Sequence, residues 1–247
     1  MKHEEILQTL NNDADYYGDF GRQFLSNSDI GTLLNNPEVF GRFSREDNKA
    51  FAEGRYFHQL LIEPEKAEDT LFVDVSTRTT KEYKSFIEAN NLSFCLLKKE
   101  GDEIRKLVNK MKGNIAFYDE IYKKGNTYET PGVTTIGDIN WKGKADIITD
   151  TQIIDLKTTS NIAKFKWSSK EYNYDSQAYI YQQIFGKPLV FYVVDKETSK
   201  LGIFTPTENF IKGGEMKVMR AIEMYNKYFG NNPTDDIDNY FINETLD

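Results

Sequence analysis

Lys144-Ala145-Asp146-Ile147-Ile148-Thr149-Asp150-Thr151-Gln152-Ile153-Ile154-Asp155-Leu156-Lys157 carries the alternation that points most directly to a β-sheet core. Two short runs rich in β-branched residues flank the polar pair Asp150-Thr151, the pattern of strand, turn and strand. Residues 133–139 read as a further strand, set off by Asn140-Trp141-Lys142-Gly143. The spacing therefore predicts a three-stranded meander with its last strand central and largely buried. Alternate side chains of a strand share a face, so Asp155 and Lys157 emerge together while Ile154 and Leu156 enter the core. Pairing through the Asp150-Thr151 turn brings Asp146 to the same edge as Asp155. Two carboxylates that close repel unless a cation separates them, and hard oxygen ligands suit Mg²⁺ or Mn²⁺. The same spacing also fits a hairpin with a polar solvent face and a surface ion pair of little energetic weight.

Downstream, residues 174–185 read as a helix ended by Gly186, and Pro188 leads into a buried strand over 189–194. A strand near 200–205 precedes a helix over 215–229, with Met216, Met219, Ile222, Tyr225 and Phe229 expected on its inner face. The tail from Asn231 is acidic and expected to be loosely held. Upstream, Ser26 to Asp29 offer N-caps for a short helix closed by Asn35-Asn36-Pro37. A second helix is expected over 46–62, with Phe51, Gly54, His58 and Leu61 along one side and Glu63-Pro64 as its stop. Residues 71–122 read as a helical arm, periodic over 81–89 and 102–122 and interrupted at Gly113. Its basic residues Lys98, Lys99, Arg105, Lys106, Lys110, Lys112, Lys123 and Lys124 suit either a solvated face or a phosphate-contacting flank.

With 39% hydrophobic and 14% aromatic residues in a chain of 247, the composition is that of a folded protein able to bury a core without a disulfide or a structural metal. Cys95 stands alone, so an internal disulfide, a cysteine zinc site and an iron-sulfur cluster are all excluded; it reads as a small core residue. The formal charge of −8 argues against bulk coating of nucleic acid but leaves room for a local basic groove. No apolar run reaches the ~20 residues of a membrane span, and the first residues lack a signal-peptide pattern, so a soluble cytoplasmic protein is expected. There is no phosphate-binding G-x-x-x-x-G-K-[ST] loop and hence no helicase motor on the chain.

Gly143-Lys144-Ala145-Asp146 followed by Asp155-Leu156-Lys157-Thr158-Thr159 resembles the core of the PD-(D/E)XK nuclease superfamily in its Asp…Asp-x-Lys form. Gln177-Ala178-Tyr179-Ile180-Tyr181 is similar to the Q-x-x-x-Y motif of the RecB-like branch. The run from Gly54 through His58, Leu60 and Leu61 to Glu63-Pro64 resembles an element of the RecE-like (exonuclease VIII) and phage exonuclease group, with Asn36-Pro37 matching a short element before it. The resemblance spans about residues 25–230 with its motifs in order. It implies an α/β fold: a restriction-endonuclease-like core with a central mixed β-sheet flanked by helices, and an N-terminal helical region. The expected organisation is a single nuclease domain over 1–247, comprising a helical part over 1–125, the core over 126–230 and an acidic tail over 231–247.

The resemblance also implies roles. His58, Asp146, Asp155 and the Leu156 carbonyl would bind a Mg²⁺ (or Mn²⁺) ion, and the glycine at Gly54 would let the His58 helix approach the sheet. Lys157 would orient the attacking water and stabilise charge at the phosphate. Glu129 is read both as a further ligand and as an exposed loop carboxylate. Gln177 and Tyr181, one helical turn apart, would support the site and contact the substrate backbone. Lys164, Lys166 and Trp167 form a basic, aromatic-bearing loop suited to phosphate contacts and base stacking, or simply an exposed loop. His3 is given no role. The activity implied is a metal-dependent DNA exonuclease acting 5′ to 3′ on linear duplexes in phage-type recombination or repair, in the cytoplasm of a bacterial host. Its implied partners are a single-strand annealing protein and further copies of itself in a ring. The alternatives are a structure-specific endonuclease of the same fold and a non-cleaving DNA- or protein-binding adaptor.

Overall fold

The computed structural model describes residues 2–42 and 47–243. Helices α1 (His3–Leu10) and α2 (Asp13–Tyr17) lead to α3 (Asn27–Asn35), α4 (Lys49–Ile62) and α5 (Pro64–Glu68). Next come β1 (Phe72–Val73), α6 (Lys81–Ala89), β2 (Leu96–Leu97), α7 (Lys98–Lys112) and α8 (Ile115–Ile121). The remainder comprises β3 (Thr127–Ile136), β4 (Ile139–Ile148), β5 (Ile153–Thr159), α9 (Phe165–Glu171), α10 (Tyr174–Phe185), β6 (Leu189–Asp195), β7 (Leu201–Phe204) and α11 (Glu208–Tyr228). Local chemistry sets many of these ends. Ser26 and Asp29 form a reciprocal capping box at α3, and the Asn48 side chain accepts from the Phe51 N–H at α4. Pro64 follows the last residues of α4, and Gly186, at φ +66°, closes α10.

Among the described residues the main sheet has the order β3-β4-β5-β6-β7. β5 and β6 are parallel and the other neighbours antiparallel, which is the mixed sheet expected, with β5 at its centre. Every residue of β6 is buried because helices cover both faces. Val190, Tyr192 and Val194 join Phe57, Leu61, Leu107 and Met111 on one side. Leu189, Phe191 and Val193 join Ile30, Leu33, Ile180 and Val218 on the other. Each such side chain contributes about 1.5–3 kcal/mol on leaving water, so the two apolar layers hold β5 rigidly between them.

Several expectations are corrected. The hairpin before β4 turns at Gly137-Asp138, not at 140–143. Both turn residues have positive φ, +57° and +62°, as a mirror-image two-residue turn requires, and Trp141 is a fully buried strand residue. Residues 71–122 are no arm: α7 starts at Lys98 and buries Ile104, Leu107, Val108 and Met111 against α4 and the sheet, since its apolar face needs a partner. This region also carries the parallel β1–β2 pair, with Cys95 in its small core. Many of its basic groups are engaged within the protein: Lys98 with Asp74, Arg105 with Asp102, Lys112 with the Leu60 carbonyl and Lys123 with Asp150.

Helix α11 begins at Glu208 and turns Val218, Ala221 and Ile222 inward to meet Trp141 and Ile180, leaving Met216 and Met219 exposed. The tail is tied back rather than loose, with Thr234 and Asp235 donating to the Lys227 carbonyl and Asp238 paired with Arg42 at 3.2 Å. The expected start of the second helix at Glu46 and the tail's last residues, 244–247, lie outside the described residues. No helix among them is long and apolar enough to cross a membrane.

Candidate active site

A break in the regular pleat of β4 positions the first carboxylate. Ala145 packs into one core layer and Ile147, two residues on, into the opposite one, which marks an irregularity at Asp146. Ladder pairing with β5 occurs at Ile147–Ile154 and Ile148–Ile153. Further along, the Leu156 N–H donates to Asp146 Oδ2 at 2.7 Å, so a side-chain oxygen stands where a strand carbonyl would.

Helix α4 supplies His58, whose Nε2 lies 2.7 Å from the Leu156 carbonyl oxygen and whose Nδ1 lies 3.5 Å from Asp146 Oδ1. A carbonyl only accepts, so Nε2 carries the hydrogen, and in the neutral ring Nδ1 turns a lone pair toward a carboxylate. A Cβ at Gly54 would meet nothing within 4 Å, so close approach does not require that glycine. Phe57 and Leu61, buried against the sheet, hold the helix there instead.

Glu129 sits on β3 in left-handed backbone geometry, at φ +45°, which costs a non-glycine residue ~1–3 kcal/mol and recurs at functional sites. Ligand atoms of His58, Glu129 and Asp146 all lie within 4.8 Å of one another. Burial, and then the charges of Asp146 and Glu63, push the Glu129 carboxyl up to about 8, with Lys144 and Lys66 acting the other way.

Asp155 and Lys157 share the other face of β5, as the alternation predicts. Asp155 Oδ1 accepts from the Gln177 amide at 2.6 Å and Oδ2 lies 2.6 Å from Lys157 Nζ, although no group meets Oδ2 in hydrogen-bond geometry. Burial is the largest influence on both and opposes charge on each, pushing the Asp155 carboxyl up. On Lys157 it is outweighed by Asp155, Tyr174 and Asp146, which hold the ammonium charged. We take the contact as an ion pair, since the lysine is the more firmly held partner. Ile154 and Leu156 are fully buried on the opposite face.

Gln177 and Tyr181 are both buried on α10. Gln177 holds Asp155, and the Tyr181 hydroxyl donates to the Lys144 carbonyl at 2.9 Å. Lys164, Lys166 and Trp167 do not form a loop: Lys164 ends a 3₁₀ turn, and the other two lie on α9, with Lys166 Nζ 4.0 Å from the Trp167 ring centre. Three groups near the site carried no sequence expectation. Tyr174 faces Lys157 Nζ at 5.0 Å, and its place three residues before Gln177 could have flagged it. Lys144 and Lys66 both bind Asp13, which no local pattern announces.

The donor set suits a divalent cation. Oxygen and nitrogen lone pairs of His58, Glu129 and Asp146 converge, and no proton lies between His58 Nδ1 and Asp146 when the ring is neutral. As placed, the Leu156 carbonyl is covered by His58 and both Asp155 oxygens face protein groups.

The raised carboxyl has a sign that can be checked. An unfolded glutamate releases its proton near 4.5, and Glu129 in the fold near 8. Its contribution to stability is therefore full below about 4.5 and is lost as pH rises toward about 8. Melting of the metal-free protein at pH 5 to 8 is expected to show this fall, and Glu129→Gln is expected to flatten it and to gain ~1–3 kcal/mol at pH 8. Identical pH profiles for the two proteins would refute the assignment.

Residues 36–233 match a family described as a PDDEXK-like domain of unknown function (DUF3799). No curated protein matches the sequence. Among solved structures, a candidate exonuclease from Eubacterium rectale superposes with a TM-score of 0.63 at 18% identity, covering 96% of each chain. An alkaline exonuclease from Laribacter hongkongensis gives 0.37 at 12% identity, over 91% of this chain and 93% of that one.

Proposed function

The chain belongs to the family of PDDEXK-like domains, and from that premise we propose that it is a divalent-metal-dependent nuclease, acting as an exonuclease on linear double-stranded DNA in phage-type recombination or repair. The observation that carries this reading is the convergence of His58, Glu129 and Asp146 beside a strand that holds Asp155 and Lys157 together. The 5′-to-3′ polarity, an annealing partner and a ring of copies rest on the RecE-like motifs alone. The whole chain, 1–247, is proposed to act as one nuclease unit.

His58, Glu129 and Asp146 would hold a Mg²⁺ or Mn²⁺ ion, joined by Asp155 and the Leu156 carbonyl if His58 and Lys157 turn from their present partners. When bound, such an ion polarises a phosphate and lowers the pKa of a water. Lys157 places a fixed positive charge against the phosphate or the attacking water. Gln177 keeps the Asp155 carboxylate in place, the Leu156 N–H orients Asp146, and Tyr181 pins β4 at Lys144. These are positioning residues. Hydrolysis forms the bond from water oxygen to phosphorus and breaks the bond to the 3′ oxygen, leaving a 5′-phosphate and a 3′-hydroxyl.

The test is digestion of a linear duplex and a covalently closed circle with and without Mg²⁺. Loss of the linear DNA alone supports the exonuclease. Cutting of the circle moves the assignment to an endonuclease, and cleavage of neither overturns the reading in favour of an adaptor.

A further inference from the structure

Helix α2 lies outside the family-matched residues 36–233, yet it is bolted to the site. Asp13 pairs with Lys66 at 2.6 Å and with Lys144, which stands two residues from Asp146 on β4. The next anchor is Tyr16, whose buried ring lies 4.3 Å from Lys142 Nζ and 4.5 Å from Lys144 Nζ, and whose carbonyl accepts from Lys142. A five-residue helix has no stability of its own, so these contacts are what order it.

Tyr17 follows directly and is 68% exposed. Its ring meets Tyr16 edge-on at 5.0 Å, its centre is 5.7 Å from Lys144 Nζ, and its hydroxyl is within electrostatic reach of Glu129, Asp13, Arg55 and Asp146. Arg55, one turn before His58 on α4, pairs with half-buried Asp47 at 2.6 Å and brings a guanidinium to the same lip. Single exposed aromatics are ordinary. What sets this one apart is a rigid mounting beside a cluster of carboxylates, with cations close by.

We propose that Tyr17 is a base-stacking residue that receives an unpaired nucleobase next to the phosphate that a cation bound by His58, Glu129 and Asp146 would hold. The inference rests on the nuclease reading and narrows its substrate: a base inside a duplex has both faces covered, so the ring serves a terminal or frayed nucleotide. Stacking on an aromatic ring is tolerant of base identity, so the preference is for unpaired ends rather than for a sequence. Asp13 and Tyr16 act as positioning residues for it.

The experiment uses the Asp155→Asn protein, in which binding is read without cleavage, and a duplex carrying 2-aminopurine at its frayed 5′ terminus. Quenching of the fluorophore on binding is expected, with loss in Asp155→Asn/Tyr17→Ala and recovery in Asp155→Asn/Tyr17→Phe. In the cleaving protein, Tyr17→Ala is expected to raise KM about tenfold with a smaller change in kcat, and Tyr17→Phe to restore KM. Thermal melting of each variant separates this from a folding defect. Normal cleavage by the wild type, with quenching and KM unaffected by Tyr17→Ala, overturns the stacking role and leaves the nuclease reading standing. A wild type that cleaves nothing overturns the nuclease reading, while the quenching measurement still decides Tyr17. If the Asp155→Asn protein does not bind the duplex, the KM comparison in the cleaving protein decides the stacking role, and a KM unchanged by Tyr17→Ala overturns it.

Discussion

Asp155→Asn is expected to lower metal-dependent cleavage by about a thousandfold or more while the protein remains folded. The amide keeps the shape of the side chain and can still accept from Gln177, which holds Oδ1 at 2.6 Å. What is lost is the negative charge on a strand buried between two apolar layers, the charge that pairs with Lys157 and would draw a cation. Stability is expected to fall by ~1–3 kcal/mol, because the neutral amide turns its Nδ2 toward the Lys157 ammonium, which loses its anion. Asp155→Ala goes further, because it leaves the Gln177 amide as well as the Lys157 ammonium without a partner, at a cost of ~3–5 kcal/mol. Cleavage assays together with melting curves of both variants test this. Turnover of Asp155→Asn within tenfold of the wild type would remove Asp155 from the site.

Lys157→Met is the second large effect. Methionine keeps an unbranched apolar stem and deletes the ammonium that lies 2.6 Å from Asp155 Oδ2 and 5.0 Å from the Tyr174 ring centre. Turnover is expected to fall about a hundred- to a thousandfold, through loss of the fixed charge at the phosphate. Metal-free stability is expected to fall by ~1–3 kcal/mol, because a buried carboxylate is left without its cation. The double variant Asp155→Asn/Lys157→Met removes both charges and is expected to recover stability without recovering activity. A cycle of the four proteins reads the coupling. Additive losses of stability would show that the two groups do not act as a pair.

Much of the fold was legible because its signals are local. β-branched runs marked β5 and β6, Glu63-Pro64 stopped α4, and Gly186 closed α10 where the sequence placed its end. The turn before β4 was misplaced because Asn140-Trp141-Lys142-Gly143 looks polar and irregular. Trp141 is nevertheless a core residue, and the positive φ values fall on Gly137 and Asp138. Residues 71–122 looked like an arm because helical period shows that a face must be covered without showing what covers it.

A period of two alone places Asp155 beside Lys157 on one strand face, with Ile154 and Leu156 turned away. Tertiary structure alone decided how these groups meet the rest. That Asp146 replaces a strand carbonyl, that His58 reaches both Leu156 and Asp146, and that Glu129 joins them from a strained backbone depend on contacts between distant segments. The same holds for Asp13, which reaches Lys144 across 131 positions of chain. Propensity and spacing act over a few residues, whereas burial between layers, and the charge it leaves to be balanced, exists only once the chain has closed on itself.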